Sequence, residues 1–311
     1  MSTTDSGWFH GFETITFQTA DSTVFARVGG RRGAPALMLV HGFPQTSAMW
    51  QRVAQRLKND FFLILPDLRG YGASRFAPET TTQAGPADVA PHRLHSKRAM
   101  AQDLVHLLDH LGVDQAGVCG HDRGGRAAHR FALDHPGRTA KLCVIDIAPT
   151  LDMYQRTDMA FARAYYHWFH LIQPAPLPET MIGGNALAYL HAKLGGWGSG
   201  GLSHTEPEAL AEYERSFCNP EAIHSACEDY RASAGIDLEH DRSSRAQEQR
   251  IEADTLVLWG ERGVVQKMFD PLRLWQAQCG ASVVGWAMPA GHFIPEELPE
   301  ETAAALKAFF G

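Results

Sequence analysis

The chain has 311 residues, enough for one large hydrophobic core or for a core with an inserted lobe. Its 44% hydrophobic and 20% charged residues are typical of globular proteins, and no apolar stretch approaches the roughly 18 residues that span a bilayer. The net charge of −7 gives no reason to expect nucleic acid or a membrane as partner, and an anionic substrate would need local positive charge.

The cysteines and the N-terminus predict a cytoplasmic protein. The five cysteines are an odd number without framework spacing, and Cys119 and Cys143 lie inside apparent core strands. This usage favours reduced thiols that pack in the core. Residues 1–6 contain no basic region followed by an apolar run, so we expect no signal peptide.

Strands and helices alternate along the first part of the chain. Residues 13–20 and 23–28 alternate apolar and polar side chains around a turn, which predicts a hairpin. Apolar runs at 36–40 and 61–65 predict strands covered on both faces, with a helix at 47–57 between them. This alternation predicts a parallel sheet built from right-handed crossovers.

The next stretch begins with a predicted loop. The segment Phe76–His95 is rich in Pro, Thr and Ala without periodicity, and its length indicates a functional or mobile surface loop. Helical spacing of apolar residues then predicts a helix from Lys97 to Gly112. His106 and His110 share a face of it, but the acid that a zinc-protease helix places beside its first His is missing. A solvated face is favoured, and we expect no metal.

Residues 120–126 read Gly-His-Asp-Arg-Gly-Gly-Arg between a strand and a helix. Small residues two before, two after and three after Asp122 fit the tight turn called a nucleophile elbow, in which the helix passes close to the sheet. The usual elbow carries Ser, whereas this one carries a carboxylate. Taken alone, the pattern is also compatible with any glycine-rich turn.

The second half predicts an insertion into the sheet. From 150 to 249 the periodicity is helical, which predicts a helical cap domain inserted into a core domain of residues 1–149 and 250–311. The strand at 141–145 and the strands before it precede the insertion. Strands at 255–259 and 281–284 follow the insertion.

Three polar side chains follow predicted strands at their carboxyl ends, namely Asp122, Asp146 and His292. An acid, a second acid and a histidine in this order match the arrangement of a hydrolase triad, and open α/β sheets place their chemistry at this edge. His292 alone would be unremarkable among 16 histidines, but it stands between Gly and Phe after a strand. The sequence therefore predicts a catalytic triad.

These residues make the chain resemble the α/β-hydrolase superfamily and, more narrowly, the haloacetate (fluoroacetate) dehalogenases. The motifs that carry the resemblance are His41-Gly-Phe-Pro-Gln45, residues 120–126, Ile145-Asp-Ile-Ala-Pro149, His167-Trp168 and Gly291-His-Phe293. The resemblance implies an α/β-hydrolase fold with a mostly parallel, doubly wound sheet and an inserted helical cap. It also implies hydrolysis of short 2-haloacids such as fluoroacetate and chloroacetate without a cofactor, and it suggests a homodimer.

The resemblance assigns Asp122 as nucleophile, His292 as general base and Asp146 as the acid that orients it, with Phe43 at the entrance to the oxyanion side. The chemistry agrees, since a carboxylate can displace a leaving group from a saturated carbon and form an ester. The histidine would then deprotonate the water that hydrolyses the ester, while the second acid fixes its tautomer. Backbone N–H groups, one of them from Phe43, would stabilise the negative oxygen.

The resemblance further assigns Arg123 and Arg126 to the substrate carboxylate, and His167, Trp168 and Tyr230 to the halide. Two arginines three residues apart at a helix start can face one ligand, and guanidinium pairs with carboxylate in bidentate fashion. The alternative is that they form surface ion pairs. The three aromatic residues carry N–H or O–H donors that a poor leaving group needs, although packing within the cap would also explain them.

Competing functions differ in specific residues. An epoxide hydrolase would share the Asp nucleophile, but it usually places its orienting acid after the strand that ends here at Gly260, where Glu261 stands without an Asp. A haloalkane dehalogenase would leave the two arginines as unpaired buried charges. A serine esterase is excluded by Asp122, and a non-catalytic receptor for a small acid would gain little from replacing Ser with Asp.

Overall fold

A computed structural model of the chain describes residues 3–4, 7–77 and 92–311. Most of the predicted loop Phe76–His95 therefore lies outside the described residues. Of its ends, Phe76 belongs to a two-residue strand and His95 to a short 3₁₀ helix.

The described strands form one mixed sheet. In chain order they are β1 (Thr3–Thr4), β2 (Phe12–Gln18), β3 (Ser22–Gly30), β4 (Ala36–Val40), β5 (Phe62–Pro66), β6 (Arg75–Phe76), β7 (Ala116–His121), β8 (Thr139–Ile145), β9 (Thr255–Gly260) and β10 (Val283–Met288). Their spatial order is β1-β2-β3-β5-β4-β7-β8-β9-β10, with β6 on β3. The six strands from β5 to β10 along this order are parallel, and the others pair antiparallel.

The central strands form where apolar runs are covered on both faces. β4 and β5 are almost wholly buried, as their continuous apolar sequences predict. The predicted hairpin is confirmed by the antiparallel pairing of β2 with β3. The last strand was predicted too early, at 281–284, because its apolar run ends at Gly285. Gly285 instead lies against Val257, and pairing with β9 continues to Met288.

Helices cover the sheet and fill the insertion. They are α1 (Gln51–Leu57), α2 (Lys97–Leu111), α3 (Arg123–Asp134), α4 (Thr150–Gln155), α5 (Met159–Ala164), α6 (Tyr166–Leu171), α7 (Leu177–Gly183), α8 (Ala186–Leu194), α9 (Pro207–Phe217), α10 (Pro220–Ala234), α11 (Ile236–Ala246), α12 (Val264–Met268), α13 (Pro271–Gln276), α14 (Ile294–Glu297) and α15 (Pro299–Phe310). Short 3₁₀ helices lie at Ser47–Trp50, Arg93–His95 and Pro136–Arg138. The predicted helix 47–57 is thus a 3₁₀ turn followed by α1, and the predicted end of α2 at Gly112 is confirmed by its left-handed φ of 66°.

The chain from 150 to 246, all of which is described, contains helices α4 to α11 and no strand. The mostly parallel sheet flanked by helices agrees with the predicted fold class, while the boundaries of a separate cap domain stay a prediction. Among the described residues, no helix is both long and apolar enough to cross a membrane.

The parallel strands bring four loops to one edge of the sheet. His41 follows β4, Asp122 follows β7, Asp146 follows β8 and His292 comes shortly after β10. Because carboxyl ends of parallel strands meet at the same edge, residues far apart in sequence become neighbours there.

Helix α3 can start at this edge because its first turn carries glycine. A Cβ atom on Gly124 would lie 2.3 Å from the carbonyl oxygen of His41 and 2.4 Å from that of Val40. These atoms are backbone and cannot rotate away. Gly124 therefore sets how close the helix comes to β4, and with it the position of Asp122 at the helix start.

We expect Gly124→Ala to lower the free energy of unfolding by about 1–3 kcal/mol, the usual cost of overpacking a tight contact. Urea denaturation monitored by circular dichroism measures the change. Gly137→Ala is the matched control, because a Cβ there would meet nothing within 4 Å, and its effect should stay within about 0.5 kcal/mol. Equal denaturation midpoints for the two variants would contradict the proposed close approach.

Candidate active site

Asp122 stands at the tip of the turn between β7 and α3. Its backbone has φ 48° and ψ −115°, a conformation that costs a non-glycine residue roughly 1–3 kcal/mol and is most often found at functional sites. Its Oδ1 accepts a hydrogen bond of 3.0 Å from the backbone N–H of Phe43, and the residue stays 8% exposed. The sharp turn thus presents one carboxylate oxygen to a backbone donor and leaves the other available.

His292 and Asp146 complete a triad with Asp122. The Nδ1 atom of His292 lies 2.6 Å from Oδ2 of Asp146, whose Oδ1 accepts a 3.0 Å hydrogen bond from the N–H of Gly260. The Nε2 atom of His292 lies 4.0 Å from Oδ2 of Asp122, too far for a direct hydrogen bond. The acid that contacts the histidine is therefore the one after β8, whereas Glu261, after β9, is exposed.

The charges of the triad shift its pKa values in opposite directions. Burial acts to raise the pKa of Asp122, but the charges of His292, Arg126 and Arg123 outweigh it and hold this pKa below its ordinary value. Burial acts to lower the pKa of His292, but the hydrogen bond and charge of Asp146 outweigh it and raise this pKa. Asp122 is thus kept ionised, and His292 is kept a stronger base than a free imidazole.

Two further histidines form hydrogen bonds that fix the backbone around the triad. The Nε2 atom of His121 lies 2.8 Å from the carbonyl oxygen of His292, and burial lowers the pKa of His121 to about 3, so that ring is neutral. The N–H of Leu68 donates to Nε2 of His41 at 2.9 Å, and Nδ1 of His41 lies 3.0 Å from the carbonyl oxygen of Gly42. His41 thus ties the loop that carries Phe43 to the end of β5.

Arg126 is a buried cation without an acidic partner. It is 3% exposed, and its Nη1 donates to the Ala148 carbonyl at 3.2 Å and to Oγ1 of Thr150 at 2.9 Å. Its Nη2 lies 3.3 Å from the sulfur of Met153, and its Nε has no partner. Within the part of the chain that the structure describes, it forms no ion pair with a carboxylate. The surroundings are those of an anion-binding group.

Arg123 differs from Arg126, although the sequence placed both on the substrate carboxylate. It is fully buried, and its guanidinium forms a fork with Asp229, with Nε 2.9 Å from Oδ2 and Nη2 2.6 Å from Oδ1. Nη2 also donates to the backbone oxygen of Asp229 at 2.9 Å, and Nη1 to Ser233 Oγ at 3.3 Å. Most of its donors are therefore occupied within the protein.

The three residues predicted to bind halide lie together above Phe43. The ring of Tyr230 lies 5.5 Å from that of His167 and 6.4 Å from that of Trp168, measured between centroids. The ring of Phe43 lies 5.4 Å from Tyr230 and 6.1 Å from His167. Burial raises the pKa of Tyr230 well above its ordinary value, so its hydroxyl stays protonated; it has no hydrogen-bond partner among the described residues.

Each arginine stacks on one of these aromatic rings. The Arg123 guanidinium carbon lies 4.1 Å from the ring centroid of Tyr230, and that of Arg126 lies 4.7 Å from the ring of Trp168. Such contacts are favourable cation–π interactions. They bring the two predicted groups, for carboxylate and for halide, into direct contact.

Two residues of the site were not predicted from the sequence. Trp197, with a left-handed φ of 52°, lies 4.7 Å from the ring of His167 and 5.1 Å from that of His292. Its only signal is its position in a glycine-rich interruption of the helical segment. Asp229 had a clearer signal, since it shares a helix face with Ala226 and Ser233, where an acid among small buried residues is unusual.

Comparisons with known proteins identify the family of the chain. Residues 35–183 match the family model of the alpha/beta hydrolase fold, which agrees with the predicted fold. A fluoroacetate dehalogenase from Burkholderia sp. is 40% identical over 97% of this chain and 94% of its own length. A solved α/β-hydrolase structure from Nostoc sp. PCC 7120 has a TM-score of 0.88 at 48% identity, covering 96% of this chain and 97% of that one. A soluble epoxide hydrolase from Corynebacterium sp. (strain C12) is 30% identical over 88% of this chain and 89% of its own.

The chain therefore belongs to the haloacetate dehalogenase family within the α/β-hydrolase superfamily, as its motifs predicted. Among the described residues, no group of three or more His, Cys, Asp or Glu side chains is arranged to hold a metal ion.

The raised pKa of His292 gives a test of the triad. We expect Asp146→Asn to lower this pKa, because the variant loses the negative charge that favours the imidazolium and keeps only a weaker, neutral acceptor. Below its pKa the ring is protonated and cannot accept a proton from water. As the pH falls, the wild type should therefore lose its base at a higher pH than the variant does. NMR titration of the His292 ring nitrogens measures both values.

Glu261→Gln is the matched control for this titration. It removes the exposed acid that follows β9 and should leave the pKa of His292 unchanged. If Glu261→Gln shifts the titration and Asp146→Asn does not, the orienting acid has been assigned to the wrong strand.

Proposed function

We propose that the protein hydrolyses short 2-haloacids, such as fluoroacetate and chloroacetate, to 2-hydroxyacids and halide through an ester on Asp122. The proposal is supported by the relationship to the Burkholderia fluoroacetate dehalogenase and by the aspartate at the elbow tip. A carboxylate at this position serves displacement at a saturated carbon, since it needs no base for the attack.

The observation that carries the substrate class is the buried charge of Arg126. Taking a charge out of water costs several kcal/mol unless an opposite charge and hydrogen bonds compensate it. Arg126 has neutral acceptors around it but forms no ion pair with an acid among the described residues, and the negative charge that acts on it most strongly is that of the nucleophile. A substrate carboxylate would supply the missing charge and hold the carbon that bears the halogen close to Asp122.

In the first step, an oxygen of Asp122 attacks the carbon that carries the halogen. A C–O bond forms, the C–halogen bond breaks, and the halide leaves with the bonding electrons. Tyr230, Trp168 and His167 would donate hydrogen bonds to the departing halide, which matters most for fluoride because it is a poor leaving group. The unpartnered hydroxyl of Tyr230 is the group best prepared for this task.

In the second step, water attacks the carbonyl carbon of the ester at Asp122. His292 accepts a proton from that water, and Asp146 stabilises the imidazolium that forms. The 4.0 Å between Nε2 of His292 and Oδ2 of Asp122 suits a base that acts through water rather than on the carboxylate directly. The N–H of Phe43 would stabilise the oxyanion. When the oxyanion collapses, the bond between the Asp122 carbonyl carbon and the product oxygen breaks, and His292 returns its proton to that oxygen. The 2-hydroxyacid then leaves, and Asp122 loses the remaining water proton to solvent, which regenerates the carboxylate.

Epoxide hydrolysis is the alternative, because the Corynebacterium enzyme is a relative and the same nucleophile would open an epoxide. Two observations favour the haloacid. The acid that contacts His292 follows β8, and a neutral epoxide would leave Arg126 buried without a carboxylate paired to it.

Halide release by the purified protein tests the proposal. We expect release from fluoroacetate, chloroacetate or bromoacetate, and we expect Asp122→Asn to abolish it, because an amide oxygen is a poor nucleophile. An ion-selective electrode for fluoride and ion chromatography for the other halides measure the rates.

Asp114→Asn, a change of an exposed acid outside the site, is the matched control and should retain full activity. Release that survives in Asp122→Asn would remove the nucleophile assignment. Release of no halide from any of the three acids, together with turnover of an epoxide such as styrene oxide, would favour the alternative.

A further inference from the structure

The environment of Asp229 indicates a role for a residue that the proposed reaction does not itself use. Asp229 lies on α10, immediately before Tyr230, and is fully buried. Its carboxylate and backbone oxygen take three of the five N–H donors of Arg123, and Ser233 takes a fourth. One N–H of Nη1 is left without an acceptor among the described residues.

The Asp229 carboxylate is also held by two other side chains. The ammonium group of Lys97, at the start of α2, donates to Oδ1, and the hydroxyl of Tyr71 donates to Oδ2 at 2.7 Å. Arg123 and Lys97 outweigh the effect of burial and hold the pKa of Asp229 well below its ordinary range. The carboxylate is therefore ionised and fixed by groups from three other parts of the core.

This arrangement sets the charge balance between the two arginines. The charge of Asp229 is shared between Arg123 and Lys97, whereas Arg126, three residues further along α3, has no acidic partner among the described residues. Without Asp229, the guanidinium of Arg123 and the ammonium of Lys97 would stay buried without this carboxylate, in a site that already holds the charge of Arg126, which is unfavourable. Arg123 would also lose the contacts that fix the direction of its guanidinium.

We propose that Asp229 is a positioning residue, which fixes Arg123 so that only its last Nη1 donor serves the substrate carboxylate beside Arg126. This inference rests on the proposed function, because it assumes that the carboxylate binds between the arginines. Tyr230 follows Asp229 directly and stacks on the Arg123 guanidinium. By holding Arg123, Asp229 therefore also sets the distance between the carboxylate-binding and halide-binding groups.

A purely structural role predicts something different. If Asp229 only anchors α10 to the core, its loss lowers stability without acting specifically through Arg123. A double-mutant cycle separates the two roles, because residues that act as a unit give non-additive losses.

The test measures glycolate binding by isothermal titration calorimetry, which needs no turnover, in the wild type, Asp229→Asn, Arg123→Gln and the double variant. We expect each single change to weaken binding by about tenfold or more, and the double variant to be within about threefold of the weaker single. Additive losses, or unchanged binding in Asp229→Asn with a lowered melting temperature, would overturn the proposal.

Asp241→Asn is the matched control, because it breaks another buried ion pair of α3, the one with Arg130, and leaves the fork of Asp229 with Arg123 intact. It should change glycolate binding by less than about threefold. If Asp229→Asn fails to fold, Asp229→Glu keeps the charge and displaces the carboxylate by one methylene. Weaker binding in that variant is expected, and unchanged binding would overturn the proposal.

Halide release by the wild type is scored separately from this cycle. If the wild type releases halide and the cycle is additive, the proposed function stands and the role of Asp229 falls. If the wild type releases no halide but the cycle is non-additive, the function falls and the positioning of Arg123 stands. A wild type that binds no glycolate overturns the role of Asp229 in either case.

Discussion

The buried charge of Arg126 is the constraint on which the rest of the site depends. Its guanidinium is removed from water and lies on the helix that starts directly after the nucleophile. Among the described residues, it contacts neutral acceptors and the face of Trp168. That charge helps to keep Asp122 ionised despite its burial. An anion in the pocket would compensate it further, which is why we propose a haloacid rather than a neutral substrate.

The scaffold holds this charge in place through contacts between backbones. Gly124 lets α3 approach the end of β4, and the strained turn at Asp122 directs its carboxylate to the N–H of Phe43. The orienting acid, Asp146, also has a positive φ, of 50°, and receives the N–H of Gly260 from the next strand. Both carboxylates are thus fixed by the geometry of the sheet edge and not by flexible loops, as precise nucleophilic attack requires.

Local patterns predicted the parts of the fold and the site that depend on local chemistry. Apolar runs predicted the buried strands, glycine spacing predicted the elbow, and the order of Asp122, Asp146 and His292 after their strands predicted their meeting. The ion pair of Arg123 with Asp229 could not be predicted, because it joins residues 106 positions apart through a helix packing that no local pattern encodes. The position of Trp197 against His167 and His292 could not be predicted for the same reason. The cap boundaries, the homodimer and the cytoplasmic location stay predictions.

The most direct test of the account is the intermediate itself. His292→Asn removes the base for the second step but leaves Asp122, Arg126 and the halide-binding residues in place. On incubation with chloroacetate, intact-protein mass spectrometry should show one carboxymethyl group added, and peptide mapping should place it on Asp122. The double variant Asp122→Asn/His292→Asn should gain no mass. An adduct on another residue, or halide turnover by His292→Asn without any accumulated ester, would contradict the account.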